Sequence, residues 1–188
     1  MNKEKTVFVG IDHSYTSPAF TVYDSVTDHF TCYFLTKIKK CQGTFRKGNI
    51  TFIGEPSLEG VLSGSDRYYK IANWVLDKLK NNHPDASEVL IEGYSMNSRG
   101  SRTFEIGENA GMLKYALMNS GFNIILKSPR EIKKFFTGNG GVGKYSVERD
   151  FNKEVGFDIR DVIPSKAENP VSDICDSYSM CQMLRTIS

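Results

Sequence analysis

Four acidic residues fall at positions where a folded chain can bring them together. Asp12 ends the apolar, strand-like run TVFVGID, and Glu92 ends a second such run, EVLIE. Asp173 and Asp176 lie three residues apart in the helical segment NPVSDICDSYSMCQML, a spacing that places both on one helical face. Ligand sites in open α/β sheets gather at the carboxyl ends of strands, so adjacent parallel strands would bring Asp12 and Glu92 together.

Such a group of carboxylates predicts a metal site. Carboxylates that are held together repel one another unless cations lie between them. Oxygen ligands suit Mg²⁺ or Mn²⁺, and two such ions about 4 Å apart can clamp the attacking and leaving oxygens of a phosphodiester. We therefore predict two Mg²⁺ ions, with Mn²⁺ as a substitute, on Asp12, Glu92, Asp173 and Asp176. The local alternative is a helix-dipole preference for first-turn acids, worth roughly 0.3–1 kcal/mol.

The elements that must position these acids indicate a mixed α/β fold. Three strand-like runs come first, and the later strands EVLIE and FNIILK are each preceded by a helical segment. The first of these helices begins near Ser65, a candidate N-cap, and the second is closed by Gly121. Ser128 is the predicted N-cap of a third helix, and two more follow it. This order predicts a mixed five-stranded sheet, an antiparallel meander followed by parallel strands, flanked by helices.

Length and composition are those of one globular domain spanning residues 1–188. The chain has 39% hydrophobic and 24% charged residues. No apolar run approaches the roughly 18 residues that span a bilayer, and the N-terminus has no signal segment, so we predict a cytoplasmic protein with no membrane partner. The four cysteines form no C-x-x-C pair, which predicts free thiols rather than a zinc site. Residues 37–64, rich in Gly, Lys and Ser, are predicted to form an irregular insertion with one strand-like patch, ITFIGE.

Positive charge is unevenly distributed along the chain. The net charge is only +2, but residues 127–149 contain six cations against two anions, which leaves about −2 for the rest of the chain. A basic face beside acidic residues is typical of a protein that grips phosphates and also holds cations.

These motifs together resemble the RuvC-type Holliday-junction resolvases of the RNase H-like nuclease superfamily. GID at 10–12 resembles the family's first-strand motif, whose Asp binds metal, and IEGY at 91–94 resembles the second, whose Glu does the same. TGNGGVGK at 137–144 resembles the glycine-rich segment ahead of a lysine, and DICDSYSM at 173–180 resembles the D-x-x-D-A motif. Motif order and approximate spacing match from residue 6 to residue 184.

The chain departs from this pattern at three places. His13 and Ser14 follow Asp12 where the family often has Pro-Gly, the segment 37–64 is long for the family, and Ser177 stands where Ala is usual. These departures concern the substrate more than the metal site, and they are compatible with a phage-type member.

The resemblance implies a metal-dependent, structure-selective DNA endonuclease that cleaves four-way junctions by two-metal-ion phosphodiester hydrolysis. Its partner would be branched DNA in the bacterial cytosol, whether the protein is cellular or phage-encoded. Two matched nicks require two active sites, so a two-fold homodimer is expected. In the family the helix here at 104–120 contributes to that dimer, although its sequence also suits an ordinary core helix.

The glycine-rich loop GNGGVGK at 138–144 has two interpretations beside an incidental solvated loop. A nucleotide-binding loop requires G-x-x-x-x-G-K-[ST] directly after a strand, but Asn139 replaces the first Gly, Tyr145 replaces the Ser or Thr, and the loop follows a helix. The resemblance implies instead a DNA-facing loop with Lys144 as a catalytic residue near the scissile phosphate, where its ammonium would stabilise developing charge.

Five further residues are candidate DNA contacts. Arg99 and Arg102, in NSRGSR, follow the Glu92 strand and suit phosphate contacts. Tyr94 suits stacking on an unpaired base, or core packing. Lys133 and Lys134 line the DNA path or form only the exposed face of a helix.

Other readings of the same residues remain open. His13 could orient water as a base or simply cap a turn. An RNase H-like nuclease acting on flaps, forks or hybrids would share the fold, and a panel of substrates separates it from a junction resolvase. An actin-like ATPase or sugar kinase needs a glycine-bearing turn after the first Asp, which DHSYTSPAF lacks. A catalytically silent DNA-binding module is disfavoured by the four acids.

Overall fold

The computed structural model describes residues 6–58, 64–93 and 102–188, and in these ranges the chain forms a seven-stranded mixed sheet with helices on both faces. The strands are β1 (Val7–Asp12), β2 (Ala19–Asp24), β3 (His29–Thr36), β4 (Gly43–Lys47), β5 (Ile50–Pro56), β6 (Glu88–Glu92) and β7 (Asn123–Lys127). The helices are α1 (Ser65–Asn82), α2 (Arg102–Asn119), α3 (Pro129–Thr137), α4 (Lys144–Val155), α5 (Ile159–Val162) and α6 (Val171–Ile187), with a 3₁₀ turn at Lys39–Cys41.

The strand order β4-β5-β3-β2-β1-β6-β7 contains the predicted meander and the predicted parallel strands. β1, β2 and β3 pair antiparallel in sequence, β6 joins β1 in parallel, and β7 joins β6 in parallel. β5 runs parallel to β3. As a result β1, β3, β5, β6 and β7 all end at one side of the sheet, which we call the carboxyl edge.

The sheet has two strands more than predicted, because residues 43–56 form a hairpin where an irregular insertion was expected. β5 contains the strand-like patch ITFIGE and pairs with β3 from Phe30–Ile50 to Thr36–Pro56. β4 was not predicted because four of its five residues are exposed and two of them, Arg46 and Lys47, are charged, so it carries no hydrophobic alternation. Gly48, with φ of 56°, forms the tight turn between them. Residues 59–63 of the predicted insertion lie outside the described ranges.

The two faces of the sheet are covered by different helices. Val7, Val9 and Ile11 point toward α1 and α2, where they form one apolar cluster. The opposite face packs against α4, α5 and α6. Gly10 is required there, because a Cβ atom at this position would lie 2.2 Å from the backbone nitrogen of Cys181 in α6. Helix α6 therefore lies directly on β1.

Helix ends follow local sequence in most cases. Ser128 caps α3 as predicted: its Oγ accepts a hydrogen bond from the Glu131 amide, and the Glu131 side chain returns one to the Ser128 amide. Gly121, with φ of 85°, follows α2 as predicted. The N-cap predicted for Ser65 is wrong, since α1 begins at Ser65 and Gly64, with φ of 53°, takes the cap position.

The thiol prediction is confirmed: all four cysteines are buried and free. Among the described helices, none is long and apolar enough to cross a membrane.

Candidate active site

The four predicted acids meet at the carboxyl edge of the sheet. Asp12 and Glu92 are the last residues of β1 and β6, which are adjacent and parallel. Asp173 and Asp176 lie in the first two turns of α6, which packs across β1 at Gly10. All four line one cavity of about 210 Å³. Two adjacent strand ends and one face of α6 thus bring the four acids to a single site.

Burial and mutual repulsion disfavour the charged forms of these acids. Burial is the largest cause that raises the pKa of Asp12, and the charges of Asp173, Asp176 and Glu92 raise it further. Burial, then the charge of Asp176, raises the pKa of Glu92 to about 7. Burial likewise raises the pKa values of Asp173 and Asp176 to about 6 each. The cations that line the cavity, Lys133 and Lys144, lower these pKa values but do not offset the effect of burial.

A divalent cation matches the chemistry of this cavity, because the four side chains offer only carboxylate oxygens and each is penalised in the absence of a cation. Within the described ranges, no three His, Cys, Asp or Glu side chains already have the geometry of a complete metal centre. Binding of an ion would therefore require the carboxylates that line the cavity to close around it.

A chain of buried and partly buried hydrogen bonds holds Asp173 in place. Ser17 Oγ donates to Asp173 Oδ2 at 2.5 Å, Asn169 Nδ2 donates to Ser17 Oγ at 2.8 Å, and Ser172 Oγ donates to Asn169 Oδ1 at 2.7 Å. This chain joins the loop after β1 to the start of α6. The sequence analysis missed Ser17 and Asn169, since their contacts join residues more than 150 positions apart.

Ser177, which departs from the family's usual Ala, is accommodated within the fold. It is fully buried, and its Oγ lies 2.8 Å from Thr21 Oγ1 on β2 and donates to the Ile174 carbonyl oxygen at 2.9 Å. The extra hydroxyl is therefore satisfied and lies between α6 and the sheet rather than in the acidic cavity.

Lys144, the first residue of α4, also lines the acidic cavity. Its Nζ lies 2.9 Å from Glu168 Oε1. Burial alone would lower the pKa of Lys144, but the hydrogen bond to Glu168 and the charges of Asp173, Glu168 and Asp176 together raise it. The side chain is thus a charged ammonium at the rim of the acidic cavity, and Glu168 is a partner that the sequence analysis missed.

The glycine-rich loop that leads to Lys144 follows α3, as the sequence predicted, and not a strand. Its own hydrogen bonds close it: Thr137 Oγ1 donates to the Lys133 carbonyl oxygen at 2.8 Å, and the Gly141 amide donates to Asn139 Oδ1 at 3.0 Å. At Gly140 a Cβ atom would lie 2.7 Å from the Arg130 carbonyl oxygen, so glycine permits the close return to α3. The loop therefore places Lys144 at the cavity.

The predicted DNA contacts fall into separate groups. Lys133 lines the acidic cavity, where its charge lowers the pKa values of Glu92 and Asp176 against the stronger effect of burial. Lys134, next to it on α3, is exposed and does not line that cavity. Tyr94 and Arg99 lie outside the described residues. Arg102 is the first residue of α2, and its side chain is likewise outside the described part.

His13, which follows β1, connects the end of that strand to α2. Its Nε2 donates to the Asn109 carbonyl oxygen at 3.1 Å, and burial lowers its pKa to about 4, so the ring is neutral. It lines a neighbouring cavity of about 430 Å³ that also reaches Asp12 and Glu92. The ring thus holds the loop after β1 against α2 rather than capping a turn of that loop.

Comparison with known proteins supports the resemblance drawn from the motifs. No protein-family model matches the chain. A crossover junction endodeoxyribonuclease RuvC from Salinibacter ruber is 25% identical over 114 residues. This alignment covers 61% of the chain and spans 58% of that relative's length.

Solved structures match over nearly the whole chain. Thermus thermophilus RuvC has a TM-score of 0.56 at 14% identity, over 95% of this chain and 96% of that one. The same protein in complex with a Holliday junction substrate has a TM-score of 0.57 at 14% identity, over 94% and 90%. The yeast mitochondrial Holliday junction resolvase Ydc2 has a TM-score of 0.55 at 12% identity, over 92% and 75%. The chain therefore has the RNase H-like fold of the RuvC-type resolvases, as predicted, and over part of its length it is also similar to one of them in sequence.

Proposed function

We propose that this chain is a metal-dependent, structure-selective endonuclease that cleaves four-way DNA junctions. The observation that carries the proposal is the convergence of four buried or partly buried carboxylates with Lys144 on one cavity at the carboxyl edge of a RuvC-type sheet. The similar proteins are named as a crossover junction endodeoxyribonuclease and as Holliday junction resolvases, and one of them was solved with a Holliday junction substrate.

Asp12, Glu92, Asp173 and Asp176 would hold two Mg²⁺ ions, for which Mn²⁺ could substitute. When bound, such ions supply an activated water and neutralise charge on the phosphodiester oxygens. The chain's own contribution is to hold the ligands: Ser17 orients the Asp173 carboxylate through its hydrogen bond.

Lys144 would contact the scissile phosphate. Its ammonium lies at the rim of the acidic cavity, where a phosphate that approaches the carboxylates would also meet it. Its attraction to that phosphate would grow as negative charge develops in the transition state. Glu168 must then give up its ion pair with Lys144 or share it with the phosphate.

The DNA would be held by basic residues around the cavity. Lys133 and Lys134 are on α3 beside it, and Arg99 and Arg102 follow the Glu92 strand in sequence. Tyr94 would stack on an unpaired base at the branch point. The resulting activity belongs in the bacterial cytosol, whether the protein is cellular or phage-encoded.

A two-fold dimer is supported by an exposed apolar stripe on α2. The stripe consists of Phe104, Gly107, Gly111, Tyr115 and Met118. Its three large side chains are 77%, 69% and 68% exposed, and a Cβ atom at either glycine would meet nothing within 4 Å. The opposite side of α2 is buried against α1 and the sheet. Large apolar side chains beside two open glycines form a surface that another helix can approach closely, which suits a second copy of α2.

The test is cleavage of a synthetic four-way junction with and without Mg²⁺, alongside flaps, forks, RNA–DNA hybrids and linear duplex of the same sequence. We expect paired, symmetric nicks in the junction that depend on the metal. Preferential cleavage of flaps, forks or hybrids would show that this class of nucleic acid, and not the four-way junction, is the substrate. An absence of metal-dependent cleavage on every substrate would overturn the proposal.

A further inference from the structure

The inserted segment that extends the sheet contains the highest density of positive charge in the chain. Residues 37–54 include five cations and no Asp or Glu, in a chain whose net charge is +2. The cations are Lys37, Lys39, Lys40, Arg46 and Lys47, and all are exposed. Glu55, which ends this acid-free stretch, is already paired with Lys78 and accepts a hydrogen bond from Trp74 Nε1 at 2.8 Å.

The topology divides these cations between opposite ends of the hairpin. Lys37 follows the last residue of β3, and Lys39 and Lys40 form the 3₁₀ turn between β3 and β4, so all three lie at the carboxyl edge. Arg46 and Lys47 lie toward the far end of β4, opposite Thr51 and Ile50 at the start of β5. We call the first three residues the lysine tip.

The lysine tip lies at the same edge of the sheet as the acidic site, and the strand order gives the distance between them. β3 is two strands from β1 and β4 is four strands away. At about 4.8 Å between neighbouring strands, the tip lies roughly 10–19 Å along the edge from Asp12. One strand of a duplex carries a phosphate about every 3.4 Å of axis, so this distance corresponds to about three to six base pairs.

The backbone of the tip is held rigidly while its lysines face solvent. Cys41 is fully buried and Ile38 packs on the same cluster. The Cys41 amide donates to the Ile38 carbonyl oxygen at 2.8 Å, and Gln42 Nε2 donates to the Thr36 carbonyl oxygen at 3.1 Å. A Cβ atom at Gly54 would lie 2.0 Å from the Cys41 carbonyl oxygen, so the 3₁₀ turn can pack against β5 only because this residue is glycine. Because the backbone of this turn is already ordered, binding through its lysines would cost little backbone entropy.

Protection of the sheet edge explains only part of this charge. Charged residues on an edge strand prevent pairing with other chains, which accounts for Arg46 and Lys47 on β4. Lys37, Lys39 and Lys40 are outside any strand and have no edge to protect.

We propose that the lysine tip is a phosphate-binding surface for a duplex arm of the DNA substrate, about three to six base pairs from the bond that is cut. The proposal rests on the proposed nuclease function and extends it to a part of the chain with no counterpart among the motifs described above. The tip would increase affinity for the arm and leave the chemical step unchanged.

The test compares two variants of the full chain in binding to a four-way junction without divalent metal. Lys37→Ala/Lys39→Ala/Lys40→Ala removes the tip, and Arg46→Ala/Lys47→Ala is the matched control at the other end of the hairpin. We expect the triple variant to bind about ten-fold or more weakly at moderate salt, with a salt slope lower by about two to three. The control should bind within about two-fold of wild type. Thermal melting of both variants checks that the exposed substitutions leave the fold intact.

The position of the contact is tested with neutral methylphosphonate linkages three to six base pairs from the cleavage site on one arm. These should weaken binding by wild type and have little further effect on the triple variant. The saturated single-turnover rate of the triple variant should equal that of wild type.

Equal losses in the triple and control variants, or an unchanged salt slope in the triple variant, would overturn the proposal even if wild type cleaves junctions. An absence of metal-dependent cleavage by wild type would instead count against the proposed nuclease function.

Discussion

The four carboxylates are held in different ways. Asp12 and Glu92 end strands, so their backbone positions follow from the sheet. Asp173 is nearly fully buried and its carboxylate is oriented by Ser17. The sheet fixes the backbone of Asp12 and Glu92, and the hydrogen bond from Ser17 fixes the Asp173 carboxylate. The side chains of Asp12 and Glu92 can still rotate, so they could close around an ion.

We expect Asp12→Asn to reduce junction cleavage by at least about a thousand-fold while junction binding stays near wild type. The substitution keeps the shape of the side chain and removes the charge of a proposed metal ligand, whereas it leaves the basic residues around the cavity unchanged. Glu92→Gln should behave in the same way. The rates are measured under single-turnover conditions and the affinity in the absence of metal. A variant that cuts at close to the wild-type rate would remove its residue from the site.

We expect Lys144→Ala to lower the single-turnover rate of the bound complex by about ten- to a hundred-fold with a small effect on affinity. Its interaction with the phosphate should strengthen as charge develops, so its loss belongs in the chemical step. Lys134→Ala is the control, because Lys134 is exposed and does not line the cavity; it should weaken binding and leave the saturated rate unchanged. If Lys144→Ala cuts at the wild-type rate once bound, the glycine-rich loop has a binding or structural role only.

We expect the metal-free protein to lose stability as the pH rises from about 4 to about 7. The pKa of Glu92 is raised to about 7 and those of Asp173 and Asp176 to about 6, so the folded state binds more protons than the unfolded state in this window. The stabilisation is complete below the unfolded pKa values near 4 and is lost as the pH passes the folded values. Melting temperatures with and without Mg²⁺ at pH 5 and pH 7.5 test this.

Mg²⁺ should raise the melting temperature at pH 7.5 and have little effect at pH 5, where the carboxyl groups are still largely protonated. Asp12→Asn should weaken the response to Mg²⁺. A melting temperature of the metal-free protein that rises steadily to pH 7.5 would contradict the buried, mutually repelling arrangement of the acids.

Among the secondary-structure elements, the contact of α6 with β1 decides whether the site exists. The two elements meet at Gly10, where α6 contributes backbone atoms of Ser177, Met180 and Cys181. The position of Asp173 and Asp176 over Asp12 depends on this approach.

We expect Gly10→Ala to destabilise the protein by about 3 kcal/mol and to lower cleavage. The added Cβ atom would lie 2.2 Å and 2.4 Å from backbone atoms of α6, which cannot rotate away as a side chain would. Gly143→Ala is the control for stability, since a Cβ atom there meets nothing within 4 Å. Thermal or denaturant unfolding measures the difference. Equal stabilities for the two variants would show that α6 shifts without cost.

At the scale of the whole molecule, the dimer is the feature that would convert a nick into resolution of a junction. The exposed stripe on α2 would provide its surface, and the two-fold axis would relate two acidic sites. A single domain across residues 1–188 and the dimer itself remain predictions from the sequence.

We expect Tyr115→Lys/Met118→Lys to keep the protein monomeric and to change the products from paired nicks to single nicks. Like charges on two of the three large side chains of the stripe would be buried without partners in a dimer. Tyr69→Lys, at a residue 59% exposed on α1, is the matched control and should remain dimeric. Light scattering gives the mass in solution, and a supercoiled cruciform plasmid separates nicked from linear products. A wild-type protein that is monomeric on junction DNA would contradict this arrangement.

The sequence by itself determined the parts of this protein that follow from local pattern. The ends of the apolar runs placed Asp12 and Glu92 at strand ends, and three-residue spacing placed Asp173 and Asp176 on one helical face. The cap at Ser128 was equally readable, because its hydrogen bonds span three residues. The order of these motifs was enough to predict the RuvC-type core of the sheet.

Only the tertiary structure decided the contacts that join distant parts of the chain. The bond from Ser17 to Asp173 spans 156 positions, and the ion pair of Lys144 with Glu168 depends on how α4 and the start of α6 pack. The hairpin of β4 and β5 was missed because an exposed, basic edge strand has no hydrophobic period, and its strand identity comes from pairing with β5. The local hydrophobic period indicates which side of a helix or strand is buried. Which other element packs against that side depends on the packing of the whole fold.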